Sequence, residues 1–335
     1  MSSLEWPPGS APALPQLEVA YREASLSSLL DDPRTLAVIG FGRRAPARDD
    51  DPRYFNVGLE PLGAAVPFEV WRVDADALCG RDGNIAWARA GDLSFGSLCV
   101  DEARHGGITP AAEAAYRQLL DHLASGPHPA LLRSWNYIDA ITEGEGDAER
   151  YRQFCIGRAL GIGQRLSAYP AATAIGLRDG ARVLRLYWLA GPQPGTPIEN
   201  PRQVAAWRYP RQYGPQPPSF SRATLPGAPS LPLLLSGTAS VVGHASLHRD
   251  SLADQVDETF RNFASLLQAA RGLRPSLAPA FGAGSLLKAY VRDADSAAAV
   301  AAELDRHLPA ATQRLLLAAD VCRAELRIEI DGFHR

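Results

Sequence analysis

Ser236–Asp250 reads SGTASVVGHASLHRD, and the residues that follow it decide the fold. The next run, SLADQVDETFRNFASLLQAARG, has a helical period, with Leu252, Val256, Phe260, Phe263 and Leu267 on one face. Ser251 with Asp254 three residues on marks its start, because a Ser side chain there accepts from a free backbone N–H of the first turn. A strand (SLLKAYVRD, Ser285–Asp293), a helix (DSAAAVAAELDRHL, Asp295–Leu308), LPAATQRLLLAAD (Leu308–Asp320) and a closing strand ELRIEIDG (Glu325–Gly332) complete the series.

The same order occurs earlier in the chain. Strand GDLSFGSLCVDE (Gly91–Glu102) leads to helix PAAEAAYRQLLDHLASG (Pro110–Gly126) and strand ALLRSWNYID (Ala130–Asp139). A helix from about residue 147 to 167, YPAATAIGL (Tyr169–Leu177) and strand ARVLRLYWL (Ala181–Leu189) follow. Leu131-Leu132-Arg133 matches Leu286-Leu287-Lys288, and both copies contain PAAT, at Pro170–Thr173 and Pro309–Thr312. A repeated order of this kind is the sequence signature of two similar structural units. The predicted class is α+β, each unit a mixed sheet with helices packed on one face. The expected units are 1–195, with an N-terminal extension, and 196–335.

Upstream, Thr35–Gly42, Phe68–Val73 and Asn84–Arg89 read as strands, and the first thirty or so residues read as an arm over the surface. Two units suit a chain of 335 residues, since single cores rarely extend beyond roughly 250–300. Apolar residues make up 46% and charged residues 21%, a globular composition with no apolar window long enough for a membrane span. The N-terminus lacks a signal-peptide pattern, so a soluble cytoplasmic protein is expected. A net charge of −3 without a basic stripe argues against nucleic acid. Of the 34 basic residues only Lys288 is a lysine, a bias that GC-rich codon usage would explain. Cys79, Cys99, Cys155 and Cys322 are far apart with no CxxC pair, which suits reduced thiols and neither a zinc site nor a disulfide framework.

Two motifs lead nowhere. Gly40-Phe41-Gly42-Arg43-Arg44-Ala45 follows an apolar strand as a dinucleotide fingerprint does, but Pro46 and Arg48-Asp49-Asp50-Asp51-Pro52 supply turn chemistry where a helix should begin. His244 and His248 have a ligand spacing only on a helix, and they lie before the helix cap, so no metal is expected. A third stretch carries more. Asn200–Arg222 (NPRQVAAWRYPRQYGPQPPSFSR) is a proline-stiffened loop holding Trp207, Tyr209, Tyr213 and Phe220 among arginines. Either it links the units, or it makes a site for a flat, anionic ring. The second reading is preferred.

The second copy resembles the RidA/YjgF fold in SGTASVVG, DQVDETFRNFASLLQAA, LLKAYVRD and RIEIDG. Further, ERYRQFCIGRAL (Glu149–Leu160), YPRQYGPQPPSFSRA (Tyr209–Ala223), SGTASVVGH and DVCRAELRIEIDG (Asp320–Gly332) together resemble the chorismatase family, which is built from RidA-like units. The likeness runs over nearly the whole chain after Thr35. With Cys322 seven residues before Glu329, it is strongest to members that release hydroxybenzoates, including the bifunctional enzyme of aryl-polyene pigment biosynthesis. Plain RidA proteins grip a substrate carboxylate with an arginine in a Pro-Ala-Arg motif. Here Ala172 and Ala311 stand in that place, so the imine-deaminase reading is weakened.

The resemblance implies chorismate as substrate, no cofactor, and release of pyruvate with 3-hydroxybenzoate, with or without 4-hydroxybenzoate. The alternatives are a hydrolytic chorismatase giving a dihydroxycyclohexadiene carboxylate, or a RidA-like unit that binds a small carboxylate without turnover. Cleaving an enolpyruvyl ether needs a carboxylic acid protonated at the right moment. Glu329 lies between Ile328 and Ile330; by residue pattern alone it is as well placed on a solvent face with Arg327 and Asp331, and the resemblance favours the acid. Cys322 is implied to steer the product. Arg158, Arg222 and Arg323 are candidates to grip carboxylates, Tyr151, Tyr209 and Tyr213 to frame the ring, and Ala239 to form a nearby wall. Tyr151 and Arg158, seven apart on a helix, face one side. RidA proteins are trimers with sites between subunits, and two fused units suggest a monomer.

Overall fold

The structure is a computed structural model and describes residues 17–47, 50–63 and 66–335. Residues 1–16 of the expected arm, and Arg48 and Asp49 of the acidic turn, lie outside the described residues. In chain order the first elements are β1 (Glu18–Arg22), α1 (Leu26–Leu30), β2 (Thr35–Gly40), β3 (Tyr54–Asn56) and β4 (Phe68–Arg72). They form a four-stranded sheet in the order β1-β4-β2-β3. The arm is thus corrected: Leu17 is fully buried and Glu18–Arg22 pair with β4 as an edge strand, because alternate residues of EVAYR can cover a hydrophobic face.

The first unit then supplies β5 (Leu78–Asp82), β6 (Ile85–Ala90), β7 (Leu93–Asp101), α2 (Ile108–Ala124), β8 (Ala130–Asp139), α3 (Arg150–Ile162), β9 (Ala171–Leu177) and β10 (Val183–Gly191). The second supplies β11 (Thr196–Ile198), β12 (Ala223–Leu225), β13 (Leu233–Thr238), β14 (Val241–Val242), β15 (Ala245–Ser246), α4 (Leu252–Leu273), β16 (Leu286–Val291), α5 (Ala297–His307), β17 (Gln313–Ala318), β18 (Asp320–Val321) and β19 (Ile328–His334). Two mixed sheets result, β18-β9-β8-β10-β7-β6-β5 and β11-β12-β13-β19-β16-β17. Within them β8 with β9 and β16 with β17 are parallel, as strand–helix–strand crossovers require. The expected α+β class is what the chain forms. The short β18 leaves the second unit's sheet and pairs with β9, stitching the two sheets along one edge.

Helices cover the outer faces. α2 and α3 pack Ala111, Ala115, Leu119 and Phe154 on Leu98, Ile138, Leu186 and Trp188, while α4 and α5 pack Val256, Phe263, Val300 and Leu304 on Leu235, Leu287 and Ile330. Ser251 caps α4 as expected, its side chain accepting from the Asp254 N–H at 3.2 Å. The helix expected over residues 147–167 is shorter, ending at Gly163 with φ +53°. The inner faces of both sheets meet each other and the N-terminal sheet around Trp71, Trp135, Tyr187, Tyr290 and Phe333.

The register tests the repeat. Arg133 and Lys288 occupy matching central strands, each beside a closing strand and a parallel neighbour. The PAAT match fails: Arg133 pairs with Ala171, whereas Lys288 pairs with Leu315, five residues past Ala310. Ala172 is therefore a buried strand residue and Ala311 an exposed turn residue. Local identity in an Ala-rich chain does not fix register; the pairing of apolar faces does.

Candidate active site

α3 lies tightly on α2 because two glycines allow it. A Cβ on Gly157 would stand 2.0 Å from the Thr109 carbonyl oxygen, and one on Gly161 2.6 Å from that of Glu113. This docking fixes the helix's rotation, so Tyr151, Cys155 and Arg158 reach the seam between the two sheets, Arg158 with its guanidinium 4.8 Å from the ring centre of Tyr116 on α2. There the edge of β9 meets the second unit: the Ala171 N–H donates to Thr224 Oγ1 (2.6 Å) and the Ala172 N–H to Ser236 Oγ (3.0 Å). Residues 199–222, with 3₁₀ turns at Ala206–Arg208 and Arg211–Tyr213, run across the same seam.

A cavity of about 630 Å³ opens at this seam. All nine residues singled out in the sequence line it: Tyr151 and Arg158 from α3, Tyr209, Tyr213 and Arg222 from the proline-rich loop, Ala239, Cys322, Arg323 and Glu329. The loop thus contributes to a site as well as joining the units. Its Trp207 does not line the cavity and is 40% exposed, stacked under Arg208. The histidines take other roles: His244 Nδ1 is 3.2 Å from the Tyr213 hydroxyl, and His248 Nε2 is 3.3 Å from Glu258.

Three arginines ring the cavity in different ways. Buried Arg158 donates from Nη1 to the Ser219 carbonyl (2.6 Å), while its Nε and Nη2 have no partner. Arg222 donates to the Tyr209 hydroxyl (2.6 Å) and the Val204 carbonyl (3.1 Å) and leaves Nε unpaired. Arg323 donates to the His244 carbonyl and Ser246 Oγ, and its guanidinium lies 4.1 Å from the Tyr213 ring centre and 5.2 Å from that of Tyr209. Buried donors without acceptors are costly, so the free edges of Arg158 and Arg222 are positioned for an anionic ligand.

Glu329 sits on β19, 6% exposed, and not on a solvent face. Its carboxyl lies directly over Gly237, where a Cβ would stand 1.9 Å from Oε1, so only glycine permits this placement. Burial pushes its acid up to about 8, helped by Asp331 and opposed by Arg222, Arg323 and Arg133. At neutral pH it holds a proton. Cys322, in the turn between β18 and β19, and Cys155 reach the same cavity although far apart in sequence. Burial, with Glu329 next, pushes the Cys322 thiol far up, and burial pushes Cys155 up to about 12; both are thiols at neutral pH.

Sequence reading missed Asn136 and Thr173 on the cavity wall and Arg133 with Asp331 beneath it. Their signal was available: an arginine within LLRSWNYID and an aspartate within RIEIDG are charges in otherwise apolar strands.

A raised acid beside arginines with unpaired donors, in a cavity walled by tyrosines, has the chemistry to receive a small ring bearing carboxylates. The comparisons agree with this class. Residues 69–190 match the family model described as Chorismatase FkbO/Hyg5-like, N-terminal. A chorismatase of Streptomyces rapamycinicus is 34% identical over 275 residues, 79% of this chain and 81% of its own. A 3-hydroxybenzoate synthase of Streptomyces hygroscopicus is 34% identical over 281 residues, 80% and 82% of the two chains. A chorismatase crystal structure superposes with a TM-score of 0.85 at 28% identity, covering 97% of this chain and 100% of its own. The chain belongs to the chorismatase family. Among its described residues no helix is long and apolar enough to cross a membrane.

Proposed function

We propose that the protein cleaves chorismate to pyruvate and 3-hydroxybenzoate. The observation that carries this reading is the buried Glu329, its acid pushed up to about 8, in one cavity with Arg158, Arg222 and Arg323. Chorismate has two carboxylates and an enolpyruvyl ether. Arg158 and Arg222 grip the carboxylates through their unpaired donors, and Tyr151, Tyr209 and Tyr213 frame the ring. Glu329 then gives its proton to the terminal methylene of the enolpyruvyl group, turning the ether carbon into an oxocarbenium. That cation is quenched from within, by the ring hydroxyl, after which loss of pyruvate leaves the hydroxybenzoate; no water is consumed overall. Attack by water instead yields pyruvate and the dihydroxycyclohexadiene carboxylate.

Cys322 bears on this choice. Held as a thiol, it acts through its volume and its S–H rather than as a thiolate nucleophile. The Streptomyces hygroscopicus relative named 3-hydroxybenzoate synthase supports the same product. Every group used comes from one chain, so a monomer suffices for the chemistry. The test is to mix chorismate with the protein, follow its absorbance with a coupled pyruvate assay, and separate the products by chromatography. Equimolar pyruvate and 3-hydroxybenzoate are expected, with any 4-hydroxybenzoate quantified in the same trace. Diene diol as the main product would transfer the assignment to the hydrolytic reaction, and persistent chorismate would overturn enzymatic cleavage.

A further inference from the structure

Two residues beyond Glu329 on the same strand, Asp331 is fully buried. Its Oδ2 accepts from the Tyr290 hydroxyl (2.9 Å) and the Thr173 hydroxyl (2.8 Å) and lies 3.1 Å from Arg133 Nη2. Arg133 in turn donates to Thr173 Oγ1 (3.0 Å), and its guanidinium stacks 4.2 Å from the Trp135 ring centre. Arg133 and Asp331 are each 0% exposed. Two hydrogen bonds and an arginine contact on one oxygen suit a carboxylate better than a carboxylic acid, which would itself need an acceptor, although Oδ1 is buried without a hydrogen-bond partner. Glu329 has different surroundings on the same face, an open cavity and the bare Cα of Gly237.

We infer that Asp331 is a positioning residue for the catalytic proton: fixed by Arg133, Thr173 and Tyr290 on the same face of β19, it adds to burial in favouring the proton-bearing form of Glu329 beside it. Two nearby carboxyls whose settings differ divide the roles between acid and fixed anion. The other charged or titratable groups around Glu329 include Arg133 from β8, Arg222 from the loop, Cys322 and Arg323 from the turn before β19, Tyr151, Cys155 and Arg158 from α3, and Glu149 just before it. Arg222, Arg323 and Arg133 pull toward an anionic Glu329; burial opposes them most, and Asp331 is the side chain that does so most. When the substrate's carboxylates occupy Arg158 and Arg222, that opposition grows and the proton remains available for transfer.

The inference rests on Glu329 as the acid, so the experiment reads its proton without turnover. Infrared difference spectra of the ligand-free protein, titrated from pH 5 to pH 10, should show a carboxylic-acid C=O band lost near pH 8, absent in Glu329→Gln. In Asp331→Asn the same band should be lost about one pH unit lower or more, as expected for removing a close like charge. The alkaline limb of kcat/KM should move with it while low-pH turnover is retained. If Asp331→Asn does not fold, Arg133→Gln with Asp331→Asn removes both charges. The shift should then be smaller but in the same direction, because Asp331 acts on Glu329 more strongly than Arg133 does. A folded variant with an unmoved band, or with activity lowered equally at every pH, overturns the inference and leaves the proposed reaction standing. A band that persists in Glu329→Gln removes its premise.

Discussion

β10 and β19 close their sheets from matching places, yet their inward side chains have opposite fates. With Arg133 matched to Lys288, the registers place Leu189 beside Arg133 and Asp331 beside Lys288, so Tyr187 occupies in the first unit the position of Glu329 in the second. Glu329 faces a cavity. Tyr187 is sealed: it stacks on Trp135 at 4.6 Å, touches Phe55 and Trp71, and its hydroxyl accepts from Lys288 Nζ at 2.9 Å. Lys288, fully buried, is also 2.9 Å from Glu69 of β4, whose other oxygen accepts from Trp71 Nε1. One place is filled by aromatic rings and a neutralised ion pair, and the other is left open with donors unpaired. The fold therefore supports a buried polar cluster either as structure or as a site, and what decides is whether a neighbouring element fills the space. Here β4 with Trp71 does so at one place only.

Substitutions separate the two fates. Glu329→Gln should give the largest loss, at least ~10²–10⁴-fold in pyruvate release, since an amide keeps the shape but has no acidic proton to give. The same variant should be more stable than the wild type at pH 8. Below pH 4.5 folded and unfolded chains both hold the Glu329 proton; from there to about 8 only the folded chain does, so stability falls as pH rises through that window and then levels. Melting temperatures of the two proteins should thus nearly coincide at pH 4.5 and diverge up to pH 8. A wild-type turnover in Glu329→Gln, or equal melting at pH 8, would show that this carboxyl belongs with the sealed cluster.

Lys288→Met should do the reverse. It strands Glu69 as an uncompensated buried charge, a change that typically costs about 3–5 kcal/mol, while the chorismate KM of the protein that remains folded stays as it was. Adding Glu69→Gln should restore most of the stability, because an apolar or neutral replacement of a whole buried pair is often harmless. A thermal melt with kinetics on the same samples distinguishes this from a role at the site. In the open cavity, Arg158→Ala and Arg222→Ala should each raise the chorismate KM by roughly tenfold or more, as the loss of a charge-assisted hydrogen bond implies, with little change in melting. If Arg323→Ala alone destroys binding, the carboxylate grip lies between Tyr209 and Tyr213 instead.

Much of this contrast was legible in the sequence, and the limit has a physical cause. Periodicity located α2, α4 and β8 to within a few residues, because those segments bury one face against one sheet. The cavity residues were found through motifs carrying unusual chemistry, such as aromatics among arginines in a proline-rich loop. What periodicity could not supply was pairing. Whether Arg133 finds Asp331 or Lys288 finds Glu69 depends on residues 198 and 219 positions apart, and no local pattern encodes which charged side chains share a dry interior. The PAAT match failed for the same reason, since register follows packing. Glu18–Arg22 looked like a free arm because its partner, β4, lies about fifty residues downstream.

The smallest expected effect on rate is the one that most sharpens the role of the open cavity. Cys322 lines it next to Glu329, partly exposed at its turn, and its thiol is held protonated by burial and by that neighbour. A neutral thiol of this kind is not needed to break the ether if the proton comes, as proposed, from Glu329. Cys322→Ala should accordingly keep pyruvate release within about tenfold, ~1.4 kcal/mol of barrier. What it removes is a sulfur that occupies space near the reacting ring. Water can enter the vacated volume and compete with the ring hydroxyl for the oxocarbenium, so product should move from 3-hydroxybenzoate toward the diene diol. Were Cys322 only a small packing residue, alanine would lower the melting temperature and leave the products alone. Chromatography of the alanine variant's reaction decides between them, and an unchanged hydroxybenzoate yield would place Cys322 with the packing residues.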